Sequence, residues 1–427
     1  MPKPVRSADP PGVPARRAAL RVLDAVLRRG ESLEQALGPA ARDIARSDDR
    51  ALVHAIAAET LRRLVDLDAL IDSATQRPMP GDAKARMALR IALVQALVLG
   101  TPAHAAIATV LPLVDGGPRK LVHGVFGTLL RRPATLPSIP ALPHPVALRW
   151  AAAWGAAMVA AAQAALAGQP PLDLTLADAA ETAALAQALG GTSLLPGHVR
   201  LGDHDAIPAL EGFGEGRWWV QDIAASLPAR LIGRGSGRAL DVCAAPGGKT
   251  MQLAAAGWNV TAIDISQSRL ARLSENLERT GLSAHIITAD ALAWAPDAPV
   301  EAVLLDAPCS ASGIFRRHPD VLYRTAPSLI GEMVALQARL LARAADWVAP
   351  GGVLVYATCS LEPEEGEAQL ATFLRARADF SVQPPRADEL GGRFIPTDQG
   401  FIRTLPGSTS DVDGCDGFFI ARLRRTG

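Results

Sequence analysis

ALDVCAAPGGKTMQLAAAGWNVTAID, residues 239–264, reads as a strand, a glycine turn, a helix and a second strand in quick succession. ALDVC (239–243) and NVTAID (259–264) are short apolar runs of the kind that fill a buried strand, and the segment between them opens on Gly247 and Gly248. Three more such runs follow at intervals: HIITAD (285–290), VEAVLLD (300–306) and VLVYATC (353–359). Helical stretches separate them, notably Ser266 to Thr280 and Ser328 to Val348. Strands alternating with helices imply crossover connections and a parallel sheet covered on both faces. Sheets of this kind take their ligands at the carboxyl ends of the strands, where the chain reverses direction across the sheet. The expectation is an α/β domain over residues 216–427.

Upstream the texture is different. From Ala15 to about residue 135, leucines recur at helical spacing (Leu20, Leu23, Leu27; Leu89, Leu93, Leu97; Leu121, Val125, Leu129), with no alternating β-branched run. This predicts an all-α domain over 15–135 behind a disordered tail, 1–14. RRPATLPSIPALPHP (131–145) reads as a linker, and 146–215 as a small connecting subdomain. The uncharged stretch Ala151 to Leu172 is mostly alanine, contains Gln163 and ends in Pro170-Pro171. It suits a packed helix better than a membrane span.

The 427 residues carry 43 basic and 43 acidic side chains, so the net charge is zero. That zero conceals a split: residues 1–140 hold 20 basic and 13 acidic groups, a net of +7, and the remainder balances it at −7. A basic front part is what docking to phosphates needs. No apolar leader precedes it, and the four cysteines (Cys243, Cys309, Cys359, Cys415) show no paired spacing. Reduced thiols in the cytoplasm are expected, with no zinc or other metal site and no membrane partner.

The polar residues that could do chemistry sit at strand ends. The turn after Asp241 resembles a triphosphate-binding loop, but that motif needs a glycine where Cys243 stands, and the dinucleotide fingerprint is also absent. Asp264 follows Asp241 at the separation expected of a carboxylate gripping ribose hydroxyls. Asp290 is placed to meet an adenine edge, and Asp306 ends the fourth run. A single aspartate there is usually a turn former. Three in register, behind a turn where backbone can approach a ligand at Gly247 and Gly248, favour an adenosine without phosphates. S-adenosylmethionine fits better than NAD or ATP. Cys309 in DAPCSASG (306–313) and Cys359 in ATCS (357–360) would face one another if the fourth and fifth strands are neighbours. Each alone reads as a buried thiol, and a disulfide is the other alternative.

PGGKT, DAPCSASG with the following RRHPD (316–320), YATCS, VQD (220–222) and DGFFIARL (416–423) resemble the RNA cytosine carbon-5 methyltransferases, the NOL1/NOP2/Sun family. The front part resembles the NusB RNA-binding domain. The resemblance implies a Rossmann-like S-adenosylmethionine-dependent methyltransferase domain behind an all-α NusB-like domain, acting on rRNA. The implied target is an unpaired or extruded cytosine of 16S rRNA, at position 967, and a monomer is expected. It implies Cys359 as the nucleophile on carbon 6, Cys309 as the base of the release step, and Asp306 on the edge of the base. Cys243, Ala244, Ala245, Pro246, Gly247, Gly248, Lys249, Asp264, Asp290 and Asp306 would hold the cofactor. Arg316, Arg317 and His318 could grip neighbouring phosphates, or form a solvated cluster. Two departures stand out. Gly366 follows Glu364-Glu365 where the family often has Asn, and Thr175 and Ala177 stand where it often has Arg and Asn. The alternative function is a non-catalytic RNA-binding assembly factor.

Overall fold

Helix α1 (Val13–Arg29) buries Val13, Ala18, Ala19, Val22, Leu23 and Val26, a single stripe at helical spacing. It begins in what was expected to be tail; residues 1–9 of that tail lie outside the described residues. The computed structural model describes residues 10–132, 134–202, 204–408 and 414–427. Ser32 and Gln35 form a reciprocal cap that starts α2 (Leu33–Ala40). The helices α3 (Ser47–Arg62), α4 (Leu64–Ser73), α5 (Lys84–Leu97), α6 (Ala103–Val110) and α7 (Gly116–Arg131) enclose the same apolar core. Several of the front arginines are internal. Arg86 and Arg90 are 3% exposed and pair with Asp68 and Asp72 of α4, and Arg16 donates from Nε to Gln95 Oε1 at 2.7 Å. Several of the front cations thus cancel against acidic partners from the same part of the chain, so fewer than the 20 counted there stand free at the surface.

The proline-rich segment is tied down. Arg63 donates to the carbonyls of Pro137 and Ser138, and Ala141 N donates to Asp66 Oδ2 at 3.1 Å. The alanine-rich stretch is two helices, α8 (His144–Trp154) and α9 (Ala156–Ala167), and no helix among the described residues is long and apolar enough to cross a membrane. Next come β1 (Leu172–Leu176), α10 (Thr182–Ala188), β2 (His198–Leu201) and β3 (Trp218–Val220), with an antiparallel sheet in the order β2-β1-β3. Because β3 completes it, this small sheet runs past residue 215.

The larger sheet follows: α11 (Ile223–Ile232), β4 (Arg238–Val242), α12 (Gly248–Ala255), β5 (Asn259–Asp264), α13 (Gln267–Thr280), β6 (His285–Thr288), β7 (Val300–Asp306), α14 (Val321–Arg324), α15 (Pro327–Asp346), β8 (Val348–Thr358), α16 (Glu367–Ala376), β9 (Phe380–Val382), β10 (Ile402–Thr404) and β11 (Phe418–Arg425). Its order is β10-β11-β8-β7-β4-β5-β6, with β9 on β11. β6, β5, β4, β7 and β8 run parallel, as the alternation predicts. β11 and its partners are antiparallel, so the sheet is mixed rather than purely parallel. The chain goes outward from β4 through β5 and β6, then returns to β7 on the other side. The reversal therefore lies between β4 and β7, above whose carboxyl ends a crevice is expected.

Two compact units result. One contains the chain up to Arg149 with Gln163–Gly168 and Arg317–Thr325; the other contains Trp150–Ala162, Gln169–Arg316 and Ala326–Gly427. The helical unit thus includes a short piece from far downstream. Asp320 Oδ2 accepts from Leu33 N at 3.2 Å, Tyr323 Oη donates to Leu61 O at 2.9 Å, and Arg324 Nε donates to Gly30 O at 2.9 Å. Arg317 and His318 belong to this piece, and burial pulls the His318 imidazole down.

Arg316, expected on the surface, is 4% exposed and lies between Asp222 Oδ2 (3.2 Å) and Asp416 Oδ1 (3.4 Å). Asp222 Oδ1 also accepts from Ala224 N, capping α11, and from Asp416 N. The VQD and DGFFIARL motifs are therefore joined through one buried guanidinium. Removing it leaves two buried carboxylates facing each other, so Arg316→Ala should lower unfolding free energy by about 3–5 kcal/mol in chemical denaturation.

Candidate active site

β7 and β8 are adjacent and parallel, with Asp306 opposite Ala357, so the turns that leave them emerge side by side. Those turns carry Cys309 and Cys359, whose Sγ atoms are 3.4 Å apart as free thiols. Gly313 N donates to Cys359 O at 2.9 Å and Leu361 N donates to Ser312 Oγ at 2.9 Å, which stitches the two turns together.

A carboxylate that no local sequence rule marks holds both turns. Glu365 is fully buried. It accepts from Ser310 N at 2.8 Å, from the hydroxyls of Ser310 and Ser360, and from Gln337 Nε2 at 3.0 Å. Ser310 follows Cys309 and Ser360 follows Cys359, so one acceptor fixes the residue beside each thiol. A carboxylate suits this place because an ionised carboxylate only accepts, and every neighbour here donates. The Gly366 departure has a steric reason: a Cβ there would lie 2.5 Å from an Arg403 nitrogen and 2.7 Å from the Phe419 ring. That crowding comes from distant strands and could not be read from the segment itself.

The two thiols have different electrostatic surroundings. Cys309 is held well above the ordinary thiol range, first by its hydrogen bond with Cys359, then by burial and by the negative charge of Cys359 and Glu365. Lys249 Nζ donates to Asp306 Oδ2 at 2.7 Å. Burial pulls this ammonium down, but Asp306 above all, with Asp241 and the Cys359 sulfur, outweighs it, so Lys249 stays charged. Asp241 is fully buried and burial pushes it up to about 7, although Thr250 Oγ1 donates to its Oδ2 at 2.6 Å.

Around the glycine turn the positions differ in detail from expectation. Cys243 lies just past the end of β4 with φ 65°, its thiol pushed up by burial. Gly247 has φ 108°, and a Cβ there would lie 2.2 Å from Leu273 Cδ1. Backbone conformation and packing against Leu273 both require glycine here. Asp264 is 4% exposed and accepts from Ala245 N (3.1 Å) and Ser266 N (2.9 Å). Asp290 is exposed and accepts from Leu292 N. Two residues absent from the sequence reading belong to this turn: Arg269, which donates to Ala245 O, and Ile265, an aliphatic side chain 72% exposed beside Asp264.

The profile of the family described as 16S rRNA methyltransferase RsmB/F matches residues 231–424, and that of the NusB family matches residues 13–126. The ribosomal RNA small subunit methyltransferase B of Xanthomonas campestris is 35% identical over 96% of this chain and 97% of its own length. Its namesake from Xylella fastidiosa is 37% identical over 96% of this chain and 98% of its own. The chain belongs to the RsmB/F methyltransferase family. A solved structure, that of PH0851, overlays with a TM-score of 0.74 at 21% identity, covering 99% of this chain and 100% of that one, and so shares the fold.

S-adenosylmethionine is the cofactor of this family, and the residues present suit it in kind. Carboxylates at successive strand ends can accept from ribose hydroxyls and an adenine amine, since the Asp264 oxygens keep lone pairs beyond their two backbone partners. Ile265 offers an apolar face that otherwise stands in water.

Two outcomes follow from this geometry. Glu365→Gln sets an amide donor against existing donors, which should lower stability by about 3 kcal/mol in denaturant titration. Asp241 binds its proton more tightly folded than unfolded, so its contribution is full at low pH and is lost as pH rises from about 4 towards 7. Asp241→Asn should flatten that part of the stability–pH curve.

Proposed function

We propose that the chain transfers the methyl group of S-adenosylmethionine to carbon 5 of a cytosine in 16S rRNA, cytosine 967, through a covalent bond between Cys359 and the base. The observation that carries this reading is the pair of free thiols 3.4 Å apart on the turns that leave two adjacent parallel strands. Carbon 5 of cytosine is a weak nucleophile. Addition of a thiolate to carbon 6 raises the electron density there and splits one hard step into two easier ones.

Cys359 is read as the nucleophile from its place in the YATCS motif at the end of β8, beside the turn that carries Cys309; the thiolate is the reactive form of a cysteine. Cys309 is read as the partner in the release step; its hydrogen bond with Cys359 first, then burial and the charges of Cys359 and Glu365, raise it well above the ordinary thiol range. When bound, S-adenosylmethionine supplies the electrophilic methyl group. The turn from Cys243 to Lys249, with Asp264, Asp290 and Asp306, would hold it. Asp306 gives one oxygen to Lys249 and keeps the other for the amino edge of the base, which fixes the ring against Cys359. Once carbon 5 is methylated its proton must pass to a base as the carbon 5–carbon 6 double bond re-forms and the Cys359 sulfur leaves as thiolate; Cys309 is read as that base in its ionised form, or as the relay to one. A base inside a duplex is out of reach of this attack, so the substrate is an unpaired or extruded cytosine. The NusB-like helices suit RNA docking.

The assignment is tested by methyl transfer from labelled cofactor to a 16S rRNA fragment, with bisulfite sequencing to locate the product. Cys359→Ala should abolish transfer, a loss of about 10³-fold or more. Cys309→Ala should instead leave protein covalently attached to RNA, visible as a slower band on denaturing gels. Undiminished transfer by Cys359→Ala would overturn the reading.

A further inference from the structure

A second cavity, of about 460 Å³, lies away from the cysteines, bounded by β1, the end of α11 and the second half of α12. Thr175, Arg230, Arg234 and Gln252 contribute its polar wall. Arg230 is half-buried and, unlike Arg86, Arg90, Arg200, Arg316 and Arg422, meets no carboxylate among the described residues. Arg230 has one hydrogen bond, from Nη2 to Pro196 O at 2.8 Å, and a buried Nε without a partner. Burial draws its guanidinium pKa down, with no acidic neighbour to offset it. Arg234, four residues on, is exposed and has no ion-pair partner among the described residues. Thr175 is 3% exposed, and its Oγ1 is also unpartnered. The single carboxylate in the wall, Asp178, is engaged with Ala180 N at 2.9 Å.

Two guanidinium groups on one cavity wall, neither meeting a carboxylate among the described residues, suit an anion with several acceptor oxygens, since the guanidinium fork matches phosphate geometry in two bonds at once. We propose that this cavity binds a phosphodiester group of the substrate RNA, a backbone contact separate from the cytosine held at Cys359. It positions the strand and carries no base preference, because phosphate contacts fix register while base edges carry sequence. The inference rests on the RNA substrate proposed above.

The test measures binding of the 16S rRNA fragment by fluorescence anisotropy across a salt series, with kcat and KM for methylation. Arg230→Gln, Arg234→Gln and the double variant are compared with wild type. The double variant should bind RNA about tenfold more weakly and lose about one unit of the slope of log affinity against log salt. KM should rise while kcat stays within about twofold, since the phosphate is held equally in ground and transition states. Cofactor affinity should not change. Arg234 is exposed, so Arg234→Gln alone should retain the fold and show a smaller loss of the same kind. Unchanged RNA affinity and salt slope in the double variant would overturn the proposal. So would inorganic phosphate binding in an Arg230-dependent way without competing against RNA, which would make the cavity a site for a small free anion. If wild type neither binds nor methylates the fragment, the RNA reading itself falls, and this inference falls with it.

Discussion

The carboxylate of Glu365 gathers four donors in a fully buried site. Two of those donors come from Ser310, one from Ser360 and one from Gln337. Because each serine is the residue next to a cysteine, one ionised group sets the spacing of Cys309 and Cys359. The sheet brings their turns together through the pairing of β7 with β8, but strand register alone positions a turn to within a few ångströms, whereas reaction between two thiols and a base is sensitive to less. Glu365 narrows that tolerance. Its charge adds to the hydrogen bond with Cys359 and the burial that hold the Cys309 thiol well above its ordinary range. The geometry of the pair thus comes largely from a side chain that never needs to touch the substrate.

Much of this was legible in the residues. The strands around Asp241, Asp264 and Asp306 were bounded to within a residue or so, because buried parallel strands are continuous apolar runs and need no partner to be recognised. Cys359 was legible because it closes such a run, and Cys309 because it stands in the polar turn three residues beyond another. The antiparallel placement of β11 was not. FFIARL is as apolar as any parallel strand, and direction depends on a connection that the run does not contain. Arg316 was misread for a related reason: RRH looks like a surface cluster, and its two aspartates lie about a hundred positions away at either side. Glu365 was visible only as part of a motif and a departure from it. The donors that give it meaning come from Ser310 and Gln337, which are near in space and not in sequence. Periodicity reports burial; it does not report which distant group will share the burial.

The split in net charge needs a similar refinement. Front-part arginines such as Arg86 and Arg90 are balanced by Asp68 and Asp72, which belong to the same sum, so the net of +7 stands while fewer separate cations face an RNA there. Conversely, the acidic remainder contains Arg230, whose charge is met by no carboxylate. Sequence sums count charges equally, whereas binding depends on those left unneutralised at the surface.

The short piece Arg317–Thr325 has a bearing on how the chain acquires its structure. Its hydrogen bond from Arg324 to Gly30 spans 294 positions, among the longest closures the chain makes. A helical bundle built from local contacts would condense early and alone as it left the ribosome. Here the bundle waits, with the Leu61 carbonyl and the Leu33 amide lacking their partners, until most of the catalytic part has been synthesised. A chain ended at Arg149 would keep its helices but lack one closing segment, and should emerge looser and faster to exchange its amide hydrogens near those two residues than the same helices in the whole protein.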